Sequence, residues 1–209
     1  MKVEIARDNG VLKTVGLAGR RQAELRLKLI GEETERRGEA LLRYVADYVA
    51  GGGKPIRSSE TMVYGYWLIK FIGDESRFLD IWEYDATATQ FTEGAELALK
   101  YWREQHDVCA RASANFAPPR PDQLVVVSDG VFEGDAIKAV RYPSPEHMSG
   151  WWMVTDRYNG DVNSMHQEHM YHLTARRPDL APYIALPFGY RFDLTRHEDV
   201  WLDEEVLEE

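Results

Sequence analysis

A proline-rich segment near the middle of the chain, Pro118-Pro119-Arg120-Pro121, constrains the fold more than any other feature. Proline has no amide hydrogen to donate and restricts the residue before it, so an α-helix cannot continue through this segment. The sequence ahead of it has the apolar spacing of a long helix from Thr92 to about Ala114. We therefore predict a junction here, between an N-terminal α+β unit of residues 1–117 and a C-terminal domain of residues 122–209.

The first half of the chain alternates between strand and helix patterns. Apolar and polar residues alternate around Val3–Ile5 and Leu25–Leu29, which is typical of half-buried strands. From Glu35 to Ala50 the apolar residues, including Tyr48, recur on one helical face, and three glycines follow that would end a helix.

Two aromatic and β-branched runs, Thr61–Ile72 and Phe78–Tyr84, are joined by a short polar connection that predicts a β-hairpin. In the second half we predict a helix over 162–175 and a short helix that begins at Pro178. The strands predicted there are 124–127, 136–142, 151–155 and 190–194. Strands grouped around single helices indicate an α+β fold, with mostly antiparallel sheets, helices packed on one face and two subdomains.

Charge is unevenly distributed along the chain. The net charge is −10, and residues 151–209 carry five basic against twelve acidic side chains, whereas residues 1–50 carry ten against eight. Nucleic acid is an improbable partner, because phosphate binding requires clustered cations. No apolar run is long enough for a membrane span, the N-terminus does not resemble a signal peptide, and the single cysteine is typical of a reducing compartment. We therefore expect a cytoplasmic protein.

Three histidines, His166, His169 and His172, are the first candidates for chemistry, because imidazoles three residues apart on a helix can share a metal ion. With about 3.6 residues per turn, each step of three rotates the side chain by about −60°, so the outer two diverge by about 120°. One adjacent pair could chelate a metal, but all three together could not easily do so. The alternative is that they cap a helix or form hydrogen bonds within the core.

Other reactive patterns have the wrong spacing or context. Cys109 follows His106 by one helical turn, but a lone cysteine on an apolar helix face is typically a small buried hydrophobe. Gly51-Gly52-Gly53-Lys54 lacks the spacer of a phosphate loop and follows a helix instead of beginning one. Scattered aspartates beside turn residues are interpreted as caps and turn closures: Asp129, Asp156, Asp161 and Asp179. We expect no cofactor, no bound metal and no enzymatic activity.

Adjacent tryptophans and an acidic tail are the candidates for a binding surface. In a strand, one ring of the pair must face the core and the other the opposite side. Exposed tryptophans anchor many protein interfaces, although the second ring could instead cover the domain junction. The predicted partner-binding residues are Trp151, Trp152, Glu198, Asp199, Asp203, Glu204 and Glu205.

A series of short motifs runs from Ser128 to Gly189. Their order and spacing resemble the immunity-protein family numbered thirty-three, over about the last third of the chain. The motifs are Ser128-Asp129-Gly130, Arg141-Tyr142, Ser149-Gly150-Trp151-Trp152, His169-Met170-Tyr171-His172-Leu173, Arg177-Pro178-Asp179-Leu180 and Leu186-Pro187-Phe188-Gly189. Members of that family accompany bacterial polymorphic toxins. The resemblance implies a protein that blocks a toxin and makes no product.

We therefore predict a cytoplasmic immunity protein that binds a cognate bacterial toxin and neutralises it by stoichiometric occlusion. An acidic surface suits a basic protein, and nucleases that bind phosphate backbones are one such class. One alternative is a metal-dependent enzyme that uses a helix over His166–His172. Another is a structural or regulatory protein that self-associates through its tryptophan-rich strands.

Overall fold

The computed structural model describes residues 3–208, which form two compact units. Among the described residues, the first unit comprises 3–85 and 89–102, and the second comprises 86–88 and 103–208. Each unit is built on one mixed sheet accompanied by helices, so the predicted α+β class is confirmed. The division between the units falls at Trp102–Arg103, and the junction at Pro118–Pro121 stays a prediction from the sequence.

The sheet of the first unit has seven strands. They are β1 (Glu4–Asp8), β2 (Val11–Val15), β3 (Glu24–Lys28), β4 (Thr61–Tyr64), β5 (Trp67–Asp74), β6 (Phe78–Tyr84) and β7 (Phe91–Glu93). Their order is β1-β2-β3-β6-β5-β4, and β7 pairs with β6. Among these strands β3 and β6 run parallel, and the other pairs are antiparallel.

Helix α1 (Glu32–Ala50) contacts β2 and β3, and it buries Leu41, Leu42 and Val45 completely. The predicted amphipathic helix is thus confirmed, except that Tyr48 is 45% exposed and does not belong to the buried face. Helix α2 (Glu96–Arg111) begins after β7, so the prediction that it starts at Thr92 was wrong.

The predicted single strand Thr61–Ile72 was also wrong, because it consists of β4 and β5 folded into a hairpin. The turn between them contains Gly65, whose φ of +60° is a left-handed conformation that glycine adopts without steric cost. The turn was not predicted because the aromatic residues on both sides of it favour a continuous strand. The predicted hairpin between β5 and β6 is confirmed.

The sheet of the second unit has six strands. They are β8 (Leu124–Val127), β9 (Lys138–Arg141), β10 (Met148–Val154), β11 (His166–His169), β12 (Tyr190–Asp193) and β13 (Asp199–Leu202). Their order is β11-β8-β10-β9-β12-β13, so β11 and β13 are the edge strands. Strands β8 and β10 run parallel, and the other pairs are antiparallel.

The helix predicted over residues 162–175 was wrong. This stretch holds a 3-10 turn (Val162–Ser164), then β11, then helix α3 (Met170–Arg176). Strand β11 covers the edge of β8, whose backbone would otherwise lack hydrogen-bond partners. The helical start at Pro178 is confirmed, since a 3-10 turn spans Pro178–Leu180.

Alternate residues of β10 face opposite sides of the second sheet. Trp151 and Met153 are fully buried on the side that we call the inner face, whereas Trp152 and Val154 lie half-buried on the outer face. Within residues 3–208, no helix combines the length and apolar character that a membrane crossing requires.

Candidate functional site

Arg141, which belongs to one of the family-like motifs, is 5% exposed on the inner face of the second sheet. Its guanidinium donates to the backbone carbonyls of Ala117 at 2.5 Å, Leu186 at 2.5 Å and Ser149 at 2.9 Å. Burial lowers the pKa of Arg141 to about 10, so the group remains cationic at neutral pH. Arg141 therefore joins three chain segments.

Arg177 similarly joins chain segments, because it binds backbone carbonyls of the loop after Gly130. The side chain is 8% exposed and binds Asp179 through two nitrogen atoms, at 2.9 and 2.7 Å. It also donates to the carbonyls of Val131 at 2.6 Å and Asp135 at 3.0 Å. The Arg-Pro-Asp motif thus fixes the loop that the Ser-Asp-Gly motif begins.

The Ser-Gly-Trp motif is structural for similar reasons. Ser149 donates to the carbonyl of Leu124 at 2.8 Å, and Trp151 donates from Nε1 to the carbonyl of Ile184 at 2.9 Å. Trp151 is fully buried, so it belongs to the core and not to the predicted partner-binding surface. The prediction that the two adjacent rings face opposite sides is confirmed.

The three histidines do not converge on one point, although the rings of His169 and His172 lie 5.8 Å apart. His166 lies on β11 with Nε2 3.2 Å from a carboxylate oxygen of Asp129, while His172 lies on α3 with Nδ1 3.1 Å from Glu168. His169 stacks on the ring of Tyr171, with 5.2 Å between centroids. In the described part of the chain, no group of three or more histidine, cysteine or carboxylate side chains is arranged to hold a metal ion.

Cys109 is 2% exposed on α2, which confirms its interpretation as a buried hydrophobe. Its Sγ lies 3.6 Å from the carbonyl oxygen of Ala185, and burial raises the pKa of the thiol to about 11. Among the four aspartates, Asp161 accepts the amide of Asn163 at 2.9 Å as a cap.

The outer face of the second sheet carries a groove of about 970 Å³. A row of directly opposed residues crosses four strands along it: Trp152 on β10, Val140 on β9, Arg191 on β12 and Trp201 on β13. Residues opposite one another in a sheet share a face, so the two tryptophans lie on the same side. Trp201, 39% exposed, was missed from the sequence because a charged segment surrounds it.

The segment after β9 forms one wall of this groove. Tyr142, Pro143 and Pro145 line it, and the ring of Tyr142 meets Trp152 edge-on with 6.3 Å between centroids. Met148 and Tyr158 also line the groove. Rings and prolines supply large apolar area at low conformational cost, which favours binding of another molecule.

One carboxylate, Asp193, lines the groove together with the basic residues Lys138 and Arg191, and further carboxylates lie beside this lining. A second row of opposed residues runs from Lys138 through Asp193 to Asp199 and places two carboxylates side by side. The hydroxyl and amide of Thr195 donate to Asp193 and hold the pKa of this carboxyl below its usual range, so Asp193 is ionised. Arg191 forms an ion pair with Asp203 at 2.6 Å, which offsets the positive charge on the groove floor.

The acidic residues predicted from the tail thus have different surroundings. Asp199 lies directly opposite Asp193 and Asp203 pairs with Arg191, so both carboxylates neighbour residues of the groove lining without being part of it. Glu198 pairs with Arg111 at 2.6 Å, away from the groove lining. Glu204 and Glu205 are exposed on the 3-10 turn Glu204–Leu207.

The second unit also holds most of the net charge. Its residues include ten basic and nineteen acidic side chains, against fifteen and sixteen in the first unit. Two of the ten, Arg141 and Arg177, are buried. The surface of the second unit is therefore strongly anionic.

Residues 104–203 match the family model of the Imm33-like domain. The match confirms the predicted resemblance and extends it toward the N-terminus, into α2. No curated protein and no solved structure matches the chain.

Proposed function

We propose that this chain, of which residues 104–203 form an Imm33-like domain, is an immunity protein that binds a cognate bacterial toxin and neutralises it by stoichiometric occlusion. The observation that carries the proposal is the family match itself, because the name of the Imm33-like domain suggests an immunity protein. The charge of the second unit and the open groove on its sheet are consistent with a binding module.

The proposed mode of action is association without catalysis. The polar side chains of the motifs are engaged in holding loops, as Arg141 and Arg177 do through backbone carbonyls. The Cys109 thiol, with its pKa raised to about 11, is a poor source of thiolate at neutral pH. The helix on which a metal site over His166–His172 depended is interrupted by β11.

We propose a basic toxin as the partner, with nucleases as one class that fits. Opposite net charges speed the encounter of two proteins and disfavour wrong partners. An immunity protein also has to meet its toxin before the toxin reaches its target, and for a nuclease that target lies in the cytoplasm.

Expression together with the toxin-like protein encoded beside this chain tests the proposal. We expect cells that produce the toxin to survive only when this chain is present, and the two proteins to copurify in equal amounts. A toxin inactivated in its own active site should still copurify, because occlusion needs no turnover. A purified pair that does not associate at micromolar concentration would contradict the proposal.

A further inference from the structure

We propose that the groove on the outer face of the second sheet is the toxin-binding site and that it receives a basic, partly apolar segment of the toxin. This inference rests on the proposed function and adds to it the surface used and the chemistry of the segment bound. Three features support it: the apolar part of the groove lining, the two tryptophans in one cross-strand row, and the carboxylates in and beside the groove.

Much of the groove lining is apolar, although the face of an isolated soluble domain would normally carry polar groups there. Val140 and Val154 form the floor, and Met148 and the prolines at 143 and 145 border it. Apolar patches of this kind, rimmed by polar residues, mark interaction sites. The groove is smaller than a complete protein interface, so we assign it to the central contact, around which the acidic surface lies.

Trp152 and Trp201 stand at opposite ends of one cross-strand row, with Val140 and Arg191 between them. The Arg191 guanidinium is directed to Asp203, to which its Nε donates at 2.6 Å. Tryptophan faces attract cations, so an entering lysine or arginine side chain can contact a ring and a carboxylate together.

The charges in and beside the groove favour a basic occupant, because four carboxylates accompany the two basic residues of the lining, Lys138 and Arg191. The carboxylates are Asp193, Asp199, Asp203 and Asp156. Asp193 and Asp199 are directly opposite each other, and like charges in this position repel, so a cation that approached Asp199 would be favoured. Lys138, the basic neighbour of Asp193 in the same row, lies 4.0 Å from the exposed carboxylate of Asp156. A second copy of this chain would bring a second strongly anionic unit to the same place, which the net charge disfavours.

Affinity measurements on the full chain test this inference, with the toxin-like protein encoded beside it as the probe. The groove variants are Trp201→Ala, at the end of the cross-strand row, and Asp199→Lys, at the carboxylate end. The matched controls lie in the first unit: Trp82→Ala, a half-buried tryptophan on a strand, and Glu39→Lys, an exposed carboxylate on α1.

We expect Trp201→Ala to weaken the affinity about thirty-fold or more, as for an interface hot spot. Asp199→Lys should weaken it about ten-fold, mainly through a slower association rate, and the loss should diminish at high salt. Both controls should bind within about two-fold of the wild type. If Trp201→Ala fails to fold, the charge variant decides alone, because Asp199 is exposed on an edge strand.

Groove variants that stay folded and bind as tightly as the wild type would overturn the groove assignment while leaving the proposed function intact. A wild type that does not bind the probe would instead remove the proposed function and this inference with it. Sedimentation of the chain alone gives a further outcome: a dimer that Trp201→Ala converts to a monomer would make a second copy the occupant, which also overturns the inference.

Discussion

The outer faces of the two sheets differ in how their charged groups are placed. On the first sheet we give this name to the more exposed face, which carries Arg26, Phe78 and Asp80. On the first sheet, Arg26 binds Asp80 through two nitrogen atoms, each at 2.7 Å, and lies over the ring of Phe78. Lys28 pairs with Glu93 at 2.6 Å in the same unit. Charged groups of the first sheet thus cover its rings and satisfy one another, which leaves a surface suited to water.

On the second sheet the corresponding residues leave the rings uncovered. Arg191 is directed to Asp203, and the row from Trp152 to Trp201 keeps an apolar centre at Val140. The difference supports the proposed binding role of the second face, whose central arginine is paired with a carboxylate. Exposed aromatic residues alone would not distinguish the two faces.

The largest effect is expected for Arg141→Leu, on the inner face of the second sheet. Removal of the guanidinium leaves the carbonyls of Ala117, Ser149 and Leu186 without their donor, at about 1–3 kcal/mol for each buried group. We expect a loss of about 3–6 kcal/mol in the free energy of unfolding, measured by denaturant titration. The outer-face control, Arg191→Leu, should lose about 1 kcal/mol or less, and equal losses would contradict the division of roles.

The second largest effect is expected for Trp151→Ala. The free energy of unfolding should fall by about 3–5 kcal/mol, because the substitution removes a fully buried ring and leaves a cavity. Trp201→Ala, at 39% exposure, should cost about 1 kcal/mol while greatly weakening toxin binding. Thermal or denaturant unfolding measures the first quantity and titration with toxin the second. The reverse pattern would show that the two tryptophans had been assigned to the wrong faces.

The free energy of unfolding should depend on pH through Glu83, which lies on the inner face of the first sheet. This side chain is 6% exposed and accepts hydrogen bonds from the backbone amides of Leu97 at 2.9 Å and Ala98 at 2.7 Å. Burial outweighs these two bonds and raises the pKa of Glu83 to about 7. The folded chain therefore holds this proton more tightly than the unfolded chain, and stability should fall as the pH rises from about 4.5 to about 7.

We expect this group to account for a decrease of about 2–3 kcal/mol across that pH range. Denaturant titrations of the wild type and Glu83→Gln at several pH values measure it as a difference in slope. Parallel pH profiles for the two proteins would refute the assignment.

Gly150→Ala should cost about 2 kcal/mol or more, since Gly150 has a φ of +82° and an added Cβ would lie 2.3 Å from the carbonyl oxygen of Tyr142. Gly160→Ala is the matched control, because its φ of +89° is similar but nothing lies within 4 Å of the added atom. The control should cost about 1 kcal/mol, from backbone strain alone. Calorimetric unfolding compares the two, and equal costs would show that close packing at Gly150 is unimportant.

The smallest effect is expected for Arg26→Ala on the outer face of the first sheet. The pair with Asp80 is partly exposed, and such pairs contribute about 0.2–1 kcal/mol. Toxin binding should not change. A measurable loss of affinity for the toxin would indicate that the first sheet is part of the interface, which would contradict the difference proposed between the two faces.

Part of this architecture could be predicted from the sequence. The opposite orientation of Trp151 and Trp152 follows from the period of a strand, and the turn after β5 follows from its polar residues. The family resemblance was predictable because it depends on the order of short motifs, although it did not reveal that Arg141 and Arg177 bind backbone carbonyls.

The groove could not be predicted, because it is formed by strands that are far apart in the sequence and adjacent only in the folded sheet. Trp201 reaches Trp152 through β12 and β9, and no local pattern records that register. The strand at His166–His169 was not predicted for a related reason. Its histidine spacing suits a helix, but the segment pairs with β8 and therefore forms a strand. Tertiary context overrides local propensity in such segments.

Hydrogen exchange of the chain, alone and in the presence of the toxin proposed as its partner, tests most directly whether the outer face of the second sheet is the binding surface. We predict slower exchange on binding in β13 and in the segment from Tyr142 to Met148, with no change in β5 and β6 of the first sheet. Slower exchange confined to the first unit, with β13 unaffected, would contradict the account.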